Sequence, residues 1–336
     1  MTAHDFSVSI NRLYMLRITI TFLATNLWLP CLFAQTTNSF ELLNGDRVVL
    51  LGDTFIEREQ SYGFMEFLLT TQFPDRKVSF RNLGWSADTP LGVSRAGFDP
   101  PAKGFDRLKE QLAAIKPTVA FLGYGMAASF DGEAGLDKFS ADLEKLMDTI
   151  QQISGETKVR FVLLGPVPHE KLPPLPDPSR HNEQLAAYSK ALENLARKRE
   201  TAFVAFFELL NEVRSGRSFP PGTDDGIHLT GYGYRRAAEA LAEGLHWNKR
   251  FWRVGITRQG KMRNGSSGIQ ILEAEQKEDR VRALAVEDRL PYPPWAHNEK
   301  PRLLLTPDCR LQFLVKPGQY EYRIDGKLVR MVTQLA

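Results

Sequence analysis

The stretch RVVLLGDT, residues 47–54, decides the fold of this chain. Four consecutive apolar residues end at Gly52, a pattern typical of a short strand that is buried on both faces of a parallel sheet. Asp53 and Thr54 then follow the carboxyl end of the strand, where open α/β sheets place the groups that touch ligands. The Thr54 hydroxyl is therefore a candidate for chemistry, and the alternative is a simple cap on the next helix.

The same alternation of strand and helix continues for about two hundred residues downstream. Further strands are predicted at residues 78–83, 118–122, 159–164 and 202–206, and helices at 62–71, 105–115, 136–153, 182–199 and 232–245. Strands that alternate with helices of this length specify a mostly parallel sheet covered on both faces. The expected fold is a three-layer α/β/α sandwich of the flavodoxin-like kind.

The pattern changes near residue 248. Residues 248–268 are basic and then rich in Gly and Ser, which predicts a linker or an exposed hairpin. Residues 269–336 contain short runs of period-two hydrophobicity and an Asp-Gly turn signal, which predict a small β module. The α/β domain is therefore expected at residues 35–247.

The first 34 residues predict a cleaved signal peptide. Arg12 and Arg17 precede the apolar run ITITFLATNLWLPCLFA, which Pro30 interrupts and which is short for a membrane span. The expected location is secreted or periplasmic, with a retained membrane anchor as the less favoured alternative. No membrane span is expected in the mature chain.

Composition narrows the classes of function. The 336 residues are 43% hydrophobic and 25% charged, enough to bury a full core. A formal charge of +3 argues against a nucleic-acid partner, and two cysteines exclude a disulfide framework and a cysteine-rich metal site. The sequence GYGMAA at residues 123–128 is a weak match to a dinucleotide-binding turn, because no acidic residue follows at the next strand tip. No cofactor and no metal are expected.

A second informative stretch is TDDGIHLTGYGY, residues 223–234. His228 lies three residues after Asp225, so a loop can place the carboxylate beneath the imidazole. Such a carboxylate fixes the ring tautomer and stabilises the imidazolium, as a general base for a hydroxyl nucleophile requires. A purely structural histidine is the alternative.

In these stretches the chain resembles the SGNH, or GDSL-like, hydrolase superfamily over roughly residues 47–245. The matching blocks, in family order, are GDT at 52–54, Gly84 in RNLGWSADT, Gly125-Met126-Ala127, and DGIH at 225–228. The segments GDT-x-IERE and FRNLGWS-x-DT resemble those of a secreted bacterial branch of this superfamily that has GDT in place of GDS.

The resemblance implies hydrolysis of an ester on a small molecule or a carbohydrate. The Thr54 hydroxyl would attack the acyl carbon, His228 would take its proton, and Asp225 would orient His228. The amides of Thr54 and Gly84 would stabilise the oxyanion, helped in the family by an Asn side chain in the third block.

The chain departs from the family pattern at two catalytic positions. Thr54 replaces Ser, and its extra methyl restricts the rotamers of the attacking oxygen. Ala127 replaces the Asn, and loss of one oxyanion donor typically costs on the order of 10² to 10³ in turnover. Asn82 and Ser129 are candidate replacement donors, from their spacing.

Other side chains beside these blocks are predicted to contact the substrate. They are Asp53, Trp85 and Tyr124, of which the two aromatic residues can stack on a sugar ring or simply pack. His169 and His181 flank a proline-rich loop and either line the cleft or lie on the surface.

Two classes of function therefore remain open. The first is an ester hydrolase, with a carbohydrate deacetylase as one form of it. The second is a non-catalytic glycan-binding or envelope protein descended from such a hydrolase, which Ala127 and the appended β module favour.

Overall fold

The computed structural model describes residues 3–6, 39–211, 220–247, 252–256, 262–263, 269–276, 281–287, 309–313, 318–324 and 327–334. The chain divides into two compact units. One is Ser39–Trp247, and the other combines Met1–Asn38 with Asn248–Ala336. Most of the predicted signal peptide, residues 7–34, lies outside the described residues.

The first unit is built on a five-stranded sheet in which every neighbouring pair is parallel. Its strands are β1 (Arg47–Gly52), β2 (Ser79–Asn82), β3 (Val119–Gly123), β4 (Arg160–Leu164) and β5 (Ala202–Val204). They lie in the order β2-β1-β3-β4-β5. The apolar runs of β1 and β3 are buried along their whole length, because both faces of the sheet are covered.

Helices follow each strand and cover the two faces. They are α1 (Thr54–Glu59), α2 (Phe64–Gln72), α3 (Ala102–Ile115), α4 (Leu136–Ser154), α5 (Ser179–Lys198), α6 (Phe206–Asn211) and α7 (Gly231–Gly244). Alternate residues of the strands, such as Val49 and Leu51, share one core with buried residues of α3, α4 and α5. Their neighbours Val48 and Leu50 are equally buried on the other face. The predicted α/β sandwich is thus confirmed.

Three details differ from the sequence prediction. The first helix begins directly at Thr54, and Gly63, with a left-handed φ of 68°, separates it from α2. Helix α5 begins at Ser179, so Asn182 lies inside the helix instead of capping it. Strand β5 ends at Val204, and α6 begins two residues later at Phe206.

The second unit is made of short strands, as expected for a small β module. Three antiparallel pairs join Ala3–Phe6 with Val281–Glu287, Val281–Glu287 with Ile269–Gln276, and Gly318–Ile324 with Lys327–Gln334. Trp252–Ile256 lies parallel to Cys309–Phe313 and antiparallel to Met262–Arg263. The predicted turn at residues 325–326 lies outside the described residues. Within the described part of the chain, no helix has the length and apolar character needed to cross a membrane.

A buried carboxyl group, Glu59, closes the turn between α1 and α2. Its Oε1 accepts a hydrogen bond of 2.6 Å from the Met65 amide, and its Oε2 has no partner among the described residues. Burial raises the pKa of Glu59 to about 8, against an ordinary value of 4.5. Hydrogen bonds from backbone amides only partly offset this rise.

This carboxyl makes stability depend on pH. Between pH 4.5 and about 8 the folded protein holds a proton on Glu59 that the unfolded chain releases, so the free energy of unfolding falls as the pH rises. We expect Glu59→Gln to remove this pH dependence of the free energy of unfolding, which amounts to about a few kcal/mol. Urea unfolding at about pH 5 and about pH 9 measures this, with the exposed neighbour Glu66→Gln as the matched control. An equal change in the free energy of unfolding between the two pH values for wild type and Glu59→Gln would contradict the raised pKa of Glu59.

Candidate active site

The ends of β1 and β3 lie level, with Gly52 paired opposite Gly123. Helix α1 therefore begins directly above the sheet edge, with Asp53 as its N-cap. The Asp53 carboxylate accepts from the Phe55 amide at 3.2 Å, while the Asp53 carbonyl accepts from the amides of Ile56 and Glu57. Among the described residues, the Thr54 amide is the one first-turn N–H of α1 with no backbone or side-chain acceptor, so it is free to bind an anion.

Asp53 itself is 2% exposed and connects α1 to the third block. Its Oδ2 accepts from the Ala127 amide at 3.4 Å. Burial raises the pKa of Asp53 to about 6, although amides including those of Phe55 and Ala127 favour the charged form. The predicted substrate contact is thus a carboxylate whose oxygens are engaged by backbone amides, and it supports the cavity from beneath.

Asp225 and His228 form the pair that their spacing predicts. Asp225 Oδ2 lies 2.6 Å from His228 Nδ1, and Asp225 Oδ1 accepts from the amides of Ile227 and His228 at 3.1 and 2.9 Å. Slight burial raises the pKa of Asp225, but hydrogen bonds from the amide and ring of His228 outweigh it and hold the pKa at about 2. A carboxylate facing Nδ1 places the proton of the neutral ring there and leaves Nε2 as its basic nitrogen.

Thr54 and His228 line one cavity of about 190 Å³. Its described lining residues are Asp53, Thr54, Phe55, Ala87, Met126, Ala127, Phe130, Val167, Ile227, His228, Leu229 and Tyr234. Thr54 Oγ1 accepts a hydrogen bond of 2.8 Å from the Ala87 amide. Among the described residues no hydrogen bond joins Thr54 to His228, so the hydroxyl proton is still available for donation to a base.

The amide of Gly84, a predicted oxyanion donor, already has an acceptor within the chain. It donates to Asn82 Oδ1 at 2.8 Å, and Asn82 Nδ2 donates to the Ile56 carbonyl at 2.7 Å. A Cβ on Gly84 would lie 2.3 Å from the Glu57 nitrogen. Neither Gly84 nor Asn82 is among the described lining residues, so this glycine allows the second block to pack against α1.

The amide that reaches the Thr54 hydroxyl is that of Ala87, which the sequence analysis did not identify. Ala87 has a left-handed φ of 52° and lines the cavity. The next residue, Asp88, is buried, with its Oδ2 2.7 Å from Arg95 Nε and its Oδ1 accepting from the Ser94 amide at 3.2 Å. These contacts hold the turn that aims the Ala87 amide at Thr54. Because left-handed backbone is usual for Gly, an alanine gives no sequence signal of it.

The remaining predicted site residues lie around the cavity. Ser129 is fully buried, donates to the Met126 carbonyl at 2.7 Å and contacts His181 Nε2 at 2.8 Å. Tyr124 lies in the core, and Trp85 is 47% exposed beside Arg95. None of these three residues is among the described lining residues, whereas Ala127 is one of them and has no side-chain hydrogen-bond donor.

Two histidines that the sequence left open lie behind the cavity wall. His169 Nδ1 and His181 Nδ1 are 2.9 Å apart, and burial lowers the pKa of both rings. The Phe130 ring stacks on His181 with centroids 4.3 Å apart. Phe130 is 62% exposed and lines the cavity, so His181 supports one aromatic wall.

One cluster of polar groups at the site has spacing that could suit a cation. Asp224, Asp225 and His228 place ligand atoms within 4.8 Å of one another. Asp224 Oδ2 lies 2.9 Å from Arg58 Nη2, however, and Asp225 is engaged by His228. Both carboxylates of this cluster are thus already engaged by side chains of the protein.

A sequence profile described as the GDSL-like Lipase/Acylhydrolase family matches residues 50–236, from the middle of β1 into α7. The chain belongs to the GDSL-like lipase/acylhydrolase family. The match includes Thr54, Ala87, Asp225 and His228. A search of curated proteins gives no significant match.

Solved structures are similar to this GDSL-like protein in fold. BT4096, a gut microbial diltiazem-metabolizing enzyme, aligns at 15% identity over 88% of this chain and 74% of its own, with a TM-score of 0.62. Axe2, an acetylxylan esterase from Geobacillus stearothermophilus, aligns at 18% identity over 62% of this chain and 98% of its own, with a TM-score of 0.48.

The packing role of Gly84 is testable. We expect Gly84→Ala to lower the free energy of unfolding by about 1–3 kcal/mol, because its Cβ would overlap the backbone of α1. Gly231→Ala is the matched control, since its Cβ would lie 3.5 Å from the Tyr62 ring, an ordinary contact. Urea unfolding of both variants measures the difference. Equal stability of the two variants would contradict a packing role for Gly84.

Proposed function

We propose that this protein hydrolyses small-molecule or carbohydrate-linked esters through Thr54, His228 and Asp225. The observation that carries the proposal is the shared cavity: Thr54, His228 and Ala87 all line it, and the Ala87 amide donates to Thr54 Oγ1. Membership of the GDSL-like family supports hydrolysis in general. We also propose that the protein is secreted or periplasmic, and this proposal rests on the signal-peptide pattern of the N-terminal segment alone.

The reaction would proceed in two acyl transfers. Thr54 Oγ1 attacks the ester carbonyl while His228 Nε2 takes the hydroxyl proton, and Asp225 stabilises the imidazolium that results. The amides of Thr54 and Ala87 donate to the oxyanion. Collapse breaks the bond to the alcohol, which leaves with the proton from His228. Water, deprotonated by His228, then releases the acid and restores Thr54.

The cavity favours a short, apolar acyl group. Most of its walls are apolar side chains, including Met126, Val167, Ile227 and Leu229. A volume of about 190 Å³ admits an acetyl or similarly small group, but is below the usual size of a pocket for a drug-sized ligand. We therefore propose acetyl esters as the first substrates to test.

The nucleophile and base can be tested together. We expect Thr54→Ala and His228→Ala each to lower kcat for an aryl acetate by about 10³-fold or more, because each removes one half of the proton-transfer pair. Thr149→Ala, on an exposed turn of α4, is the control for a lost threonine hydroxyl. Turnover that survives both active-site changes would eliminate the mechanism.

The second candidate function, a non-catalytic glycan-binding protein, is favoured by one observation. Ala127 lines the cavity with a methyl group where the family supplies an amide donor. We expect Ala127→Asn to raise kcat by about tenfold or more, since it adds an oxyanion donor to machinery that is otherwise complete. Steady-state hydrolysis of acetyl esters measures this. No turnover in either protein, together with saturable binding to a polysaccharide, would favour the binding function.

A further inference from the structure

The loop that carries Asp225 and His228 has its own set of anchoring contacts outside the cavity. We name residues 222–229 the dyad loop. Thr223 and Leu229 bridge its two ends, the Asp224 amide donates to the His228 carbonyl at 2.9 Å, and the Thr230 amide donates to the Gly222 carbonyl at 2.9 Å. These hydrogen bonds join the two ends of the dyad loop, so contacts on one side of the loop can position all of it.

The residue that makes these contacts is Glu170, which lies in the loop after β4. Its carboxylate accepts from the Thr223 amide at 2.7 Å, from the Thr223 hydroxyl at 2.6 Å and from the Gly222 amide at 3.1 Å. The Glu170 amide also donates to the Gly226 carbonyl at 2.8 Å. Hydrogen bonds to a charged acceptor are about twice as strong as neutral ones, so this residue dominates the anchoring.

Thr223 transmits this contact to the middle of the dyad loop. It is buried, and its hydroxyl donates its one proton to Glu170 while accepting from the Gly226 amide at 3.1 Å. Gly226 has a left-handed φ of 93°, and a Cβ there would lie 2.8 Å from His169 Nε2. Gly226 is therefore held through both its amide and its carbonyl.

The dyad itself has little packing of its own. The side chains of Asp225 and His228 are 52% and 34% exposed. Their 2.6 Å contact therefore depends on the backbone of the dyad loop. The other anchor, between Arg58 and Asp224, joins two partly exposed side chains and contributes little by comparison.

We propose that Glu170 and Thr223 are positioning residues for the Asp225–His228 pair. The Glu170 carboxylate acts through the Thr223 hydroxyl on the Gly226 peptide, which sets Asp225 beneath the imidazole. The expected effect on kcat rests on the proposed ester hydrolysis. The expected effect on the geometry of the Asp225–His228 pair does not.

The matched variants are Thr223→Val, which removes the hydroxyl at constant shape, and Thr223→Ser, which keeps it. Thr71→Val is the control for the loss of a buried threonine hydroxyl elsewhere, since Thr71 bonds only within α2. Glu170→Gln is the second test, because a carboxamide cannot accept from the donors on both oxygens.

We expect Thr223→Val to lower kcat by about tenfold or more with KM within about twofold, because the base is misplaced while the substrate cavity is intact. Thr223→Ser should restore kcat to within about threefold of wild type. Glu170→Gln should repeat the effect of Thr223→Val. The control Thr71→Val should lower only the thermal midpoint.

A measurement that needs no turnover separates this proposal from the proposed function. The proton shared by His228 Nδ1 and Asp225 gives a low-field NMR resonance, assigned by its loss in His228→Ala. We expect Thr223→Val and Glu170→Gln to weaken or abolish it, and Thr223→Ser and Thr71→Val to retain it. An inactive wild type with this pattern would defeat the hydrolase and leave the positioning role intact.

Two results would overturn the positioning role. One is a resonance and kcat in Glu170→Gln and Thr223→Val equal to those of wild type. The other is a loss of kcat in Thr71→Val as large as that in Thr223→Val, which would make the effect one of general stability. Should Thr223→Val fail to fold, Glu170→Gln decides between these outcomes.

Discussion

The close approach of β1 and β3 at their carboxyl ends is the constraint on which the site depends. A Cβ on Gly52 would lie 2.2 Å from the Gly123 carbonyl oxygen and 2.4 Å from the Ile56 side chain. Because both strands end in glycine, α1 can begin immediately above the sheet edge and bring Thr54 to the cavity. Any side chain at Gly52 would separate Thr54 from the third block, which follows Gly123.

Charge is distributed around this edge in two layers. The carboxyl groups that support backbone turns, Asp53 and Asp88, are buried and engaged by amides or by Arg95. The proposed base His228 and the carboxylate that orients it, Asp225, are partly exposed. Burial of a carboxylate is costly unless several donors meet it, so the inner groups are held by several hydrogen bonds, whereas the outer pair takes its geometry from its own loop.

The sequence predicted those features that have a periodic or local signal. The apolar run of β1 and the alternation that follows gave the parallel sheet, and the Asp-x-x-His spacing gave the 2.6 Å pair. Ala87 could not be predicted in the same way, because a left-handed alanine has no compositional mark. Gly84 did stand out in the sequence, but a glycine that allows close packing cannot be distinguished there from one that offers its amide.

Asn82 and Asn182 show the same limit for polar side chains. Spacing placed Asn82 near the site and Asn182 at a helix start, whereas their amide groups bond to the backbone of Gly84 and His169. Asn82 also donates to the Ile56 carbonyl, 26 residues away, and the His169 contact of Asn182 spans 13 residues. Such bonds depend on tertiary structure, so the residue type alone does not reveal them.

A threonine as the proposed nucleophile is consistent with this way of building a site. A β-branched side chain has few χ1 rotamers, and the Ala87 amide selects one of them by donating to Oγ1 at 2.8 Å. In the proposed reaction, attack bonds Oγ1 to the acyl carbon and makes it a weaker acceptor, while negative charge gathers on the former carbonyl oxygen. The same N–H can then turn to the stronger acceptor, so the amide binds the transition state more tightly than the resting enzyme. One backbone donor would thus first orient the hydroxyl and then stabilise the oxyanion, which lessens the cost of replacing the third-block amide with Ala127.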